Sequence, residues 1–454
     1  MTDVAWVLLL VLLLVVALLV VRRRMPVMFW WLVGYPVVAL RVLLSYRATM
    51  DACGLTVPAS AVRVATARVI GRQAAPVPPR RSFPRPNASG LVMRLRMAIG
   101  QAPEDFTTSA DRLRHAWGAH AVHVRPTKPG WLELRLVGWD VLADVRPARR
   151  QASAEPLRLP LALREDGDWH VRDFRTVPHE LILGATQSGK SVYLRNLLCG
   201  LARQRVVLVG IDCKWGVELA PFAPRLSALA DDPDRANDLL DALLEEMEDR
   251  FRLIGLSGAD PDAVLTSDVW GLPDAVRPVP VVLVVDEVAE LFLAANRDDE
   301  KRRDAMVTKL IRLAQLGRAA GIYLEVCGQR FGSELGKGAT MLRAQLTGRV
   351  CHRVNDEASA NMALADISPE AALAATSIPA DRPGVAVVGD SSGGWSRVRS
   401  PLLSLEDAAA VCRDTSALVP ELPRLDRFRP AVAVASAGPS SSTGATPTTR
   451  PVTE

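Results

Sequence analysis

Apolar residues recur in three rhythms along this 454-residue chain, and each predicts a different kind of element. Val4 to Val21 is an unbroken apolar run, long enough as a helix to cross a hydrocarbon core of about 30 Å. A second run, Val27 to Leu44, opens with Phe29, Trp30 and Trp31 and contains Gly34, Pro36 and Arg41. It reads as a second span or as an interfacial or re-entrant segment. Leu91 to Met97 then alternates at the period of a strand, and Asp105 to Trp117 follows the period of a helix. Val122 to Val124 and Trp131 to Val137 read as strands separated by the turn Lys128-Pro129-Gly130. Past residue 160, short apolar runs at Leu181, Val206, Val281, Ile322, Arg349 and Val385 alternate with helical stretches, the signature of an α/β fold. One helix, Asp234 to Ile254, places Leu239, Leu240, Leu243, Leu244, Met247 and Phe251 on one face, as core packing requires.

These rhythms divide the chain. Residues 1–50 form a membrane anchor of one or two spans, and 51–88 an Arg/Pro-rich linker. Residues 89–145 form a small β-α-β-β domain. A second proline-containing stretch, Arg146 to Pro160, leads into a large α/β domain over 161–403. From 413 to 454 Pro, Ser and Thr accumulate and the chain is expected to be disordered. A secretory signal fits the first run poorly: the run exceeds a signal core, no basic segment precedes it, and no small-x-small site follows. Arg22, Arg23 and Arg24 come next and favour a cytoplasmic position, which anchors the protein in the cell membrane with its N-terminus outside and the large domain cytoplasmic. If the second run also spans, that triplet must lie outside, against the charge rule.

Net charge is only +5, but eight arginines and no acid occupy Arg63 to Arg96, a solvated linker or a contact for nucleic acid or anionic lipid. The six cysteines show no C-x-x-C spacing and read as reduced thiols without a metal site.

The chemistry enters at Gly184-Ala185-Thr186-Gln187-Ser188-Gly189-Lys190-Ser191, which fits G-x-x-x-x-G-K-[ST] at every fixed position. The glycines let backbone N–H groups close around phosphate oxygens, Lys190 neutralises the β/γ charge, and the Ser191 hydroxyl ligates Mg²⁺. The flanks agree, with Leu181, Ile182 and Leu183 as a buried strand before the loop and a helix from Val192 to Arg203 after it. About a hundred residues on, the apolar run Val281 to Val285 ends in Asp286 and Glu287. Two carboxylates at the tip of a buried parallel strand suit Mg²⁺ binding by Asp286 and activation of water by Glu287. ATP and Mg²⁺ are the implied cofactors, with no other small-molecule substrate.

Around this core the sequence resembles the FtsK/SpoIIIE-type DNA translocases, over roughly Pro178 to Val388. The resemblance is carried by Pro178-His179 before the strand, by Asp212, Lys214, Glu218 and Leu219, by Gly317-Arg318-Ala319-Ala320-Gly321-Ile322 and by Gly328-Gln329-Arg330. It implies a RecA-like parallel sheet in a P-loop NTPase motor, assembled as a homo-hexamer that moves double-stranded DNA. It further implies that Gln329 senses the γ-phosphate and that Arg349 is a candidate finger for a neighbouring subunit, with Arg318 and Arg330 as competitors. Three positions depart from the pattern: Gln187 stands for a glycine, Cys213 for a proline, and Phe331 for the proline after Gln-Arg.

The compact layout and the run Asp111 to Gly118 look most like transfer proteins of actinomycete conjugative and integrating elements. The implied function is a membrane-anchored, ATP-driven pump of double-stranded DNA in conjugation. Septal chromosome partitioning is the nearest alternative, weakened because no winged helix is evident after Leu403. An ATPase of a protein-secretion system is a second alternative, weakened because there is one phosphate loop.

Overall fold

The computed structural model describes residues 2–71, 73–148, 155–257, 265–332 and 338–430. Thr2–Arg24 is a helix of 23 residues, as its uninterrupted apolar sequence dictates. Pro26–Phe29 and a π-helical turn, Trp30–Gly34, lead into the helix Tyr35–Ala52. Val27–Ala52 is long and apolar enough to cross a membrane, with a mean hydropathy of 1.8. The structure nonetheless commits one of its faces to protein. Val38, Ala39, Val42, Tyr46 and Met50 are buried in the same cluster as Leu91, Leu95, Leu113 and Leu134. Trp30, expected at a lipid interface, instead packs against Gly138, where a Cβ would fall 2.3 Å from its ring. One face of the second apolar run is therefore packed on the small domain.

That domain is an antiparallel sheet of β1 (Arg80–Arg81), β2 (Arg85–Asn87), β3 (Gly90–Arg96), β4 (Ala121–Lys128) and β5 (Trp131–Val137). The strands run in the order β1-β3-β5-β4, with β2 also on β3. Alternation along β3 sends Leu91, Met93 and Leu95 inward, as its period of two requires. The helix expected over Asp105 to Trp117 is two helices, Pro103–Thr108 and Ala110–Trp117. Part of the stretch expected as linker, 51–88, is thus structured. It supplies β1, β2 and the helix Ala61–Val69.

The large domain is a ten-stranded sheet, built from β6 (Arg158–Arg164), β7 (Trp169–Asp173), β8 (His179–Leu183), β9 (Val207–Ile211) and β10 (Ala228–Ala230), then β11 (Val281–Val285), β12 (Ile322–Gly328), β13 (Gly348–His352), β14 (Val385–Gly389) and β15 (Trp395–Arg399). The order is β10-β9-β11-β12-β8-β13-β14-β15-β6-β7. All six apolar runs read from the sequence are strands. The six strands from β10 to β13 are parallel, and four antiparallel strands extend one side, so the sheet is mixed and not wholly parallel. Both faces of the parallel half are covered, which is why its strands are near-continuous runs of Val, Ile and Leu.

Residues 413–430, expected within a disordered tail, are packed on this domain up to the last described residue. Leu425 and Phe428 are buried in its core, and Arg424 pairs with Glu245 and Asp249. Two apolar anchors among prolines suffice to hold the segment; residues 431–454 lie outside the described residues.

The small domain sits on the β6–β7 hairpin and the neighbouring loops. Ser89 Oγ donates to Asp166 O at 2.7 Å, Arg382 Nη1 pairs with Asp140 Oδ2 at 2.6 Å, and Arg399 Nη1 donates to Leu142 O and Ala143 O, each at 2.7 Å.

Candidate nucleotide-hydrolysis site

The loop from Gly184 to Gly189 leaves the carboxyl end of β8 and delivers the chain into the helix Lys190–Ala202. It is pinned from outside: Gly184 N donates to Gly328 O at 3.2 Å and Ala185 N to Arg353 O at 2.9 Å. Gln187 takes a left-handed φ of 62°, which explains why a glycine suits that position and marks Gln187 as a strained substitute. Gly189, at φ 106°, must be glycine on two counts, its dihedral and its contact with the backbone of Gly384.

Two adjoining cavities open here. One, about 310 Å³, is lined by the whole loop from Gly184 to Ser191 together with Lys214, Glu218, Asp286, Gln329 and Pro383. The other, about 330 Å³, lies beyond it and includes Glu287, Gln329, Arg330 and Asp356. Both lie at the carboxyl ends of parallel strands, where open α/β sheets collect their ligands.

Lys190 Nζ donates to Asp286 O at 3.3 Å and lies 3.6 Å from Glu287 Oε2. Burial opposes its charge, yet Cys327, Glu287 and Asp286 around it hold its pKa above the usual lysine value. Asp286 is pushed up to about 6 by burial, against the pull of Lys190 and with Asp212 and Glu218 adding to the rise. Glu287 is buried, and its Oε1 accepts from Gln329 N at 3.2 Å. Its Oε2 has no hydrogen-bond partner among the described residues and faces the Lys190 and Lys214 ammonium groups at ion-pair distance.

No group of three or more metal-ligating side chains is present among the described residues. The donor set nonetheless fits Mg²⁺, which dehydrates reluctantly and takes one or two protein oxygens beside phosphate and water. Ser191 and Asp286 line the cavity that the phosphates would enter, and would supply those oxygens.

The sequence reading left several contributors out of the site. Lys214 stands 3.5 Å from Glu287 Oε2, and its position just after β9 in Asp212-Cys213-Lys214 is the signal that could have placed it in the site. Asp212 organises that turn, accepting from Lys214 N, Glu218 N and Leu219 N. Pro383 and Gly384 close over the loop from nearly two hundred residues away, and no motif announces them.

Arg349 does not join these groups. It lies on β13 opposite Leu181, near the strand's start and away from the phosphate loop. Its side chain is 5% exposed, and it donates to Gly348 O and Arg343 O. Burial pulls its pKa down to about 10. In the single subunit its guanidinium is turned to its own backbone carbonyls and to Asp366, 3.8 Å away, and not toward the phosphate loop. Arg318 lines a cavity with Trp270 and Tyr323, at the start of β12 and hence the opposite end of the sheet. Arg330 is exposed at the rim of the second cavity, 3.1 Å from Asp356.

Comparison with known proteins agrees with this geometry. Residues 16–138 match the actinomycete conjugal transfer protein N-terminal domain, and residues 142–333 match the FtsK/SpoIIIE family. The chain is 58% identical over 400 residues to the transfer protein TraSA of Streptomyces ambofaciens, covering 87% of this chain and 96% of that one. It is 32% identical over 226 residues to the DNA translocase SftA of Bacillus subtilis (strain 168), covering 48% of this chain and 23% of that protein. Among solved structures, the conjugation coupling protein TcpA of pCW3, determined with ATPγS, shares the fold with a TM-score of 0.55 at 17% identity, over 75% of this chain and 93% of that one. A P-loop with its acidic strand tip, preceded by that N-terminal domain and matched along nearly the full length of a transfer protein, leaves one assignment: the chain belongs to the FtsK/SpoIIIE family, among its actinomycete conjugal transfer members.

Proposed function

We propose that this protein is a membrane-anchored ATPase that pumps double-stranded DNA from cell to cell in conjugation. The observation that carries the catalytic half is the convergence of Lys190, Ser191, Asp286, Glu287 and Gln329 on two adjoining cavities at the carboxyl ends of β8, β11 and β12. The DNA-pumping half rests on the resemblance to TraSA and to the translocases.

Backbone N–H groups of Thr186, Gln187, Gly189, Lys190 and Ser191 and the Lys190 ammonium would cradle the phosphates. Ser191 and Asp286 would hold Mg²⁺, which when bound neutralises charge on the β- and γ-oxygens. Glu287 would orient the attacking water and take its proton on Oε2, which lies between the Lys190 and Lys214 ammonium groups without a hydrogen bond. Gln329, tied through its own N–H to Glu287, would report whether the γ-phosphate is present. A homo-hexamer, with Arg330 reaching the next subunit, would supply the positive charge that one subunit lacks; such arginines contribute on the order of 10³-fold in rate.

The test is ATP turnover by the full chain with duplex DNA, single-stranded DNA or an unfolded polypeptide. Duplex DNA should stimulate most. Glu287→Gln should still bind ATP while turnover falls by roughly 10² or more. Stimulation by unfolded polypeptide and not by duplex DNA would move the protein to the secretion class.

A further inference from the structure

The helix Ala61–Val69 has no buried residue. Val62, Val69 and Ile70 are 75%, 87% and 66% exposed. At about 100° per residue these three share one stripe with Thr66, and Arg63 and Arg68 lie to either side. The chain leaves the small domain at Val57 and returns at Val77, where the two strands exchange hydrogen bonds of 3.0 and 2.8 Å, so the helix projects as an excursion from a closed base. An isolated helix of nine residues is marginal in water, and a covering surface is what would hold it.

A second uncovered stripe lies nearby in sequence. Tyr35–Ala52 buries one face in the small domain, and its opposite face presents Val37, Leu40 and Leu44, with Arg41 and Arg47 also exposed. Ten residues separate this helix from Thr2–Arg24. Between residues 4 and 103 the chain holds thirteen arginines and a single acid, Asp51, while the remainder carries more acids than bases.

We propose that the helix Ala61–Val69 and the outer stripe of Tyr35–Ala52 form a foot that seats the small domain on an anionic membrane surface. The proposal rests on the reading that Thr2–Arg24 crosses the bilayer. Arginines would meet lipid phosphates while Val62, Val69 and Ile70 enter the boundary between headgroups and acyl chains. Duplex DNA would satisfy the arginines alone and leave the valines and Ile70 against water, which is why lipid is the favoured occupant. With Tyr35–Ala52 lying in the interface, one span remains, and the triplet Arg22 to Arg24 stays on the cytoplasmic side, as charge bias requires.

The full chain incorporated into nanodiscs of phosphatidylcholine, with or without phosphatidylglycerol, allows a direct test by hydrogen exchange. Amides of residues 61–70 should exchange at least tenfold more slowly in the anionic discs. The double variant Arg63→Glu/Arg68→Glu should lose that slowing, since two arginines near an anionic surface contribute about thirtyfold in binding. Exchange in β3 and β5 should be unchanged, showing that the domain is folded. Equal rates in both lipid compositions would overturn the proposal, and slowing by added duplex DNA in place of anionic lipid would overturn it in favour of nucleic acid. A chain that separates from the discs altogether would overturn the transmembrane reading beneath it.

Discussion

Gly189 of the phosphate loop lies directly against the backbone of Gly384. A Cβ on Gly189 would fall 2.2 Å from Gly384 N and 2.5 Å from its Cα, and the Gly384 amide donates to Ser188 O at 2.9 Å. Two residues earlier, Arg382 pairs with Asp140 near the end of the small domain. The loop that cradles phosphate is thus in mechanical contact with the strand β14 and, through Arg382, with the small domain.

This contact separates two substitutions. Gly189→Ala drives a methyl group into backbone and should abolish ATP binding. Gly384→Ala meets Ser400 O at 3.6 Å and Arg399 Cγ at 3.9 Å, ordinary contacts, and pays instead for its φ of 84°. That strain costs about 1–2 kcal/mol, so the melting temperature should fall by several degrees and ATP affinity should weaken by roughly tenfold. Thermal melts and titration with a fluorescent ATP analogue would check both. Parental affinity in Gly384→Ala would show that the contact does not shape the loop.

Asp286 places a cost on the nucleotide-free fold. Its pKa stands at about 6, above the ordinary 3.8, chiefly through burial. The folded state therefore holds this proton more tightly than the unfolded state, and stability falls as pH rises from about 4 to 6. Above that window the ionised carboxylate costs about 2–3 kcal/mol. Asp286→Asn should accordingly be more stable than the parent at pH 7.5 without nucleotide or Mg²⁺, with the gain gone below about pH 4, and it should hydrolyse no ATP. Denaturant titrations at pH 4 and pH 7.5 would measure this, and a variant less stable than the parent at pH 7.5 would refute it.

Arg172 anchors the antiparallel hairpin to the motor from within. Its Nη2 donates to Glu325 Oε1 at 2.6 Å, its Nε lies 3.5 Å from Glu180 Oε2, and Tyr193 Oη donates to the same Glu180 oxygen at 3.0 Å. All four residues are buried. Arg172→Met strands two carboxylates without a cation and should lose about 3–5 kcal/mol. Adding Glu325→Leu should return part of that loss. Chemical unfolding monitored by circular dichroism would report it; a single-variant loss under about 1 kcal/mol would mean that water reaches the cluster.

The sequence by itself determined the elements whose cause is local. Strands buried on both faces are largely apolar, so β8, β9, β11, β12, β13 and β14 were legible as runs, and the phosphate loop was legible because its chemistry depends on contiguous residues. Asp286 and Glu287 were legible for the same reason, as the charged end of an apolar run. What tertiary structure decided was every relationship whose partners are distant in the chain. An apolar helix carries no mark of what will cover it, so only packing could show that Tyr35–Ala52 gives one face to Leu91, Leu95 and Leu134. The strands β6 and β7 fall in a stretch rich in charge and proline, and join the sheet because Arg172 finds Glu325 across it. Arg349 has the same charge wherever it sits. Its burial against the carbonyls of Gly348 and Arg343, and the closure of Gly384 over Gly189, arise from the sheet order, which brings together segments that no local pattern connects.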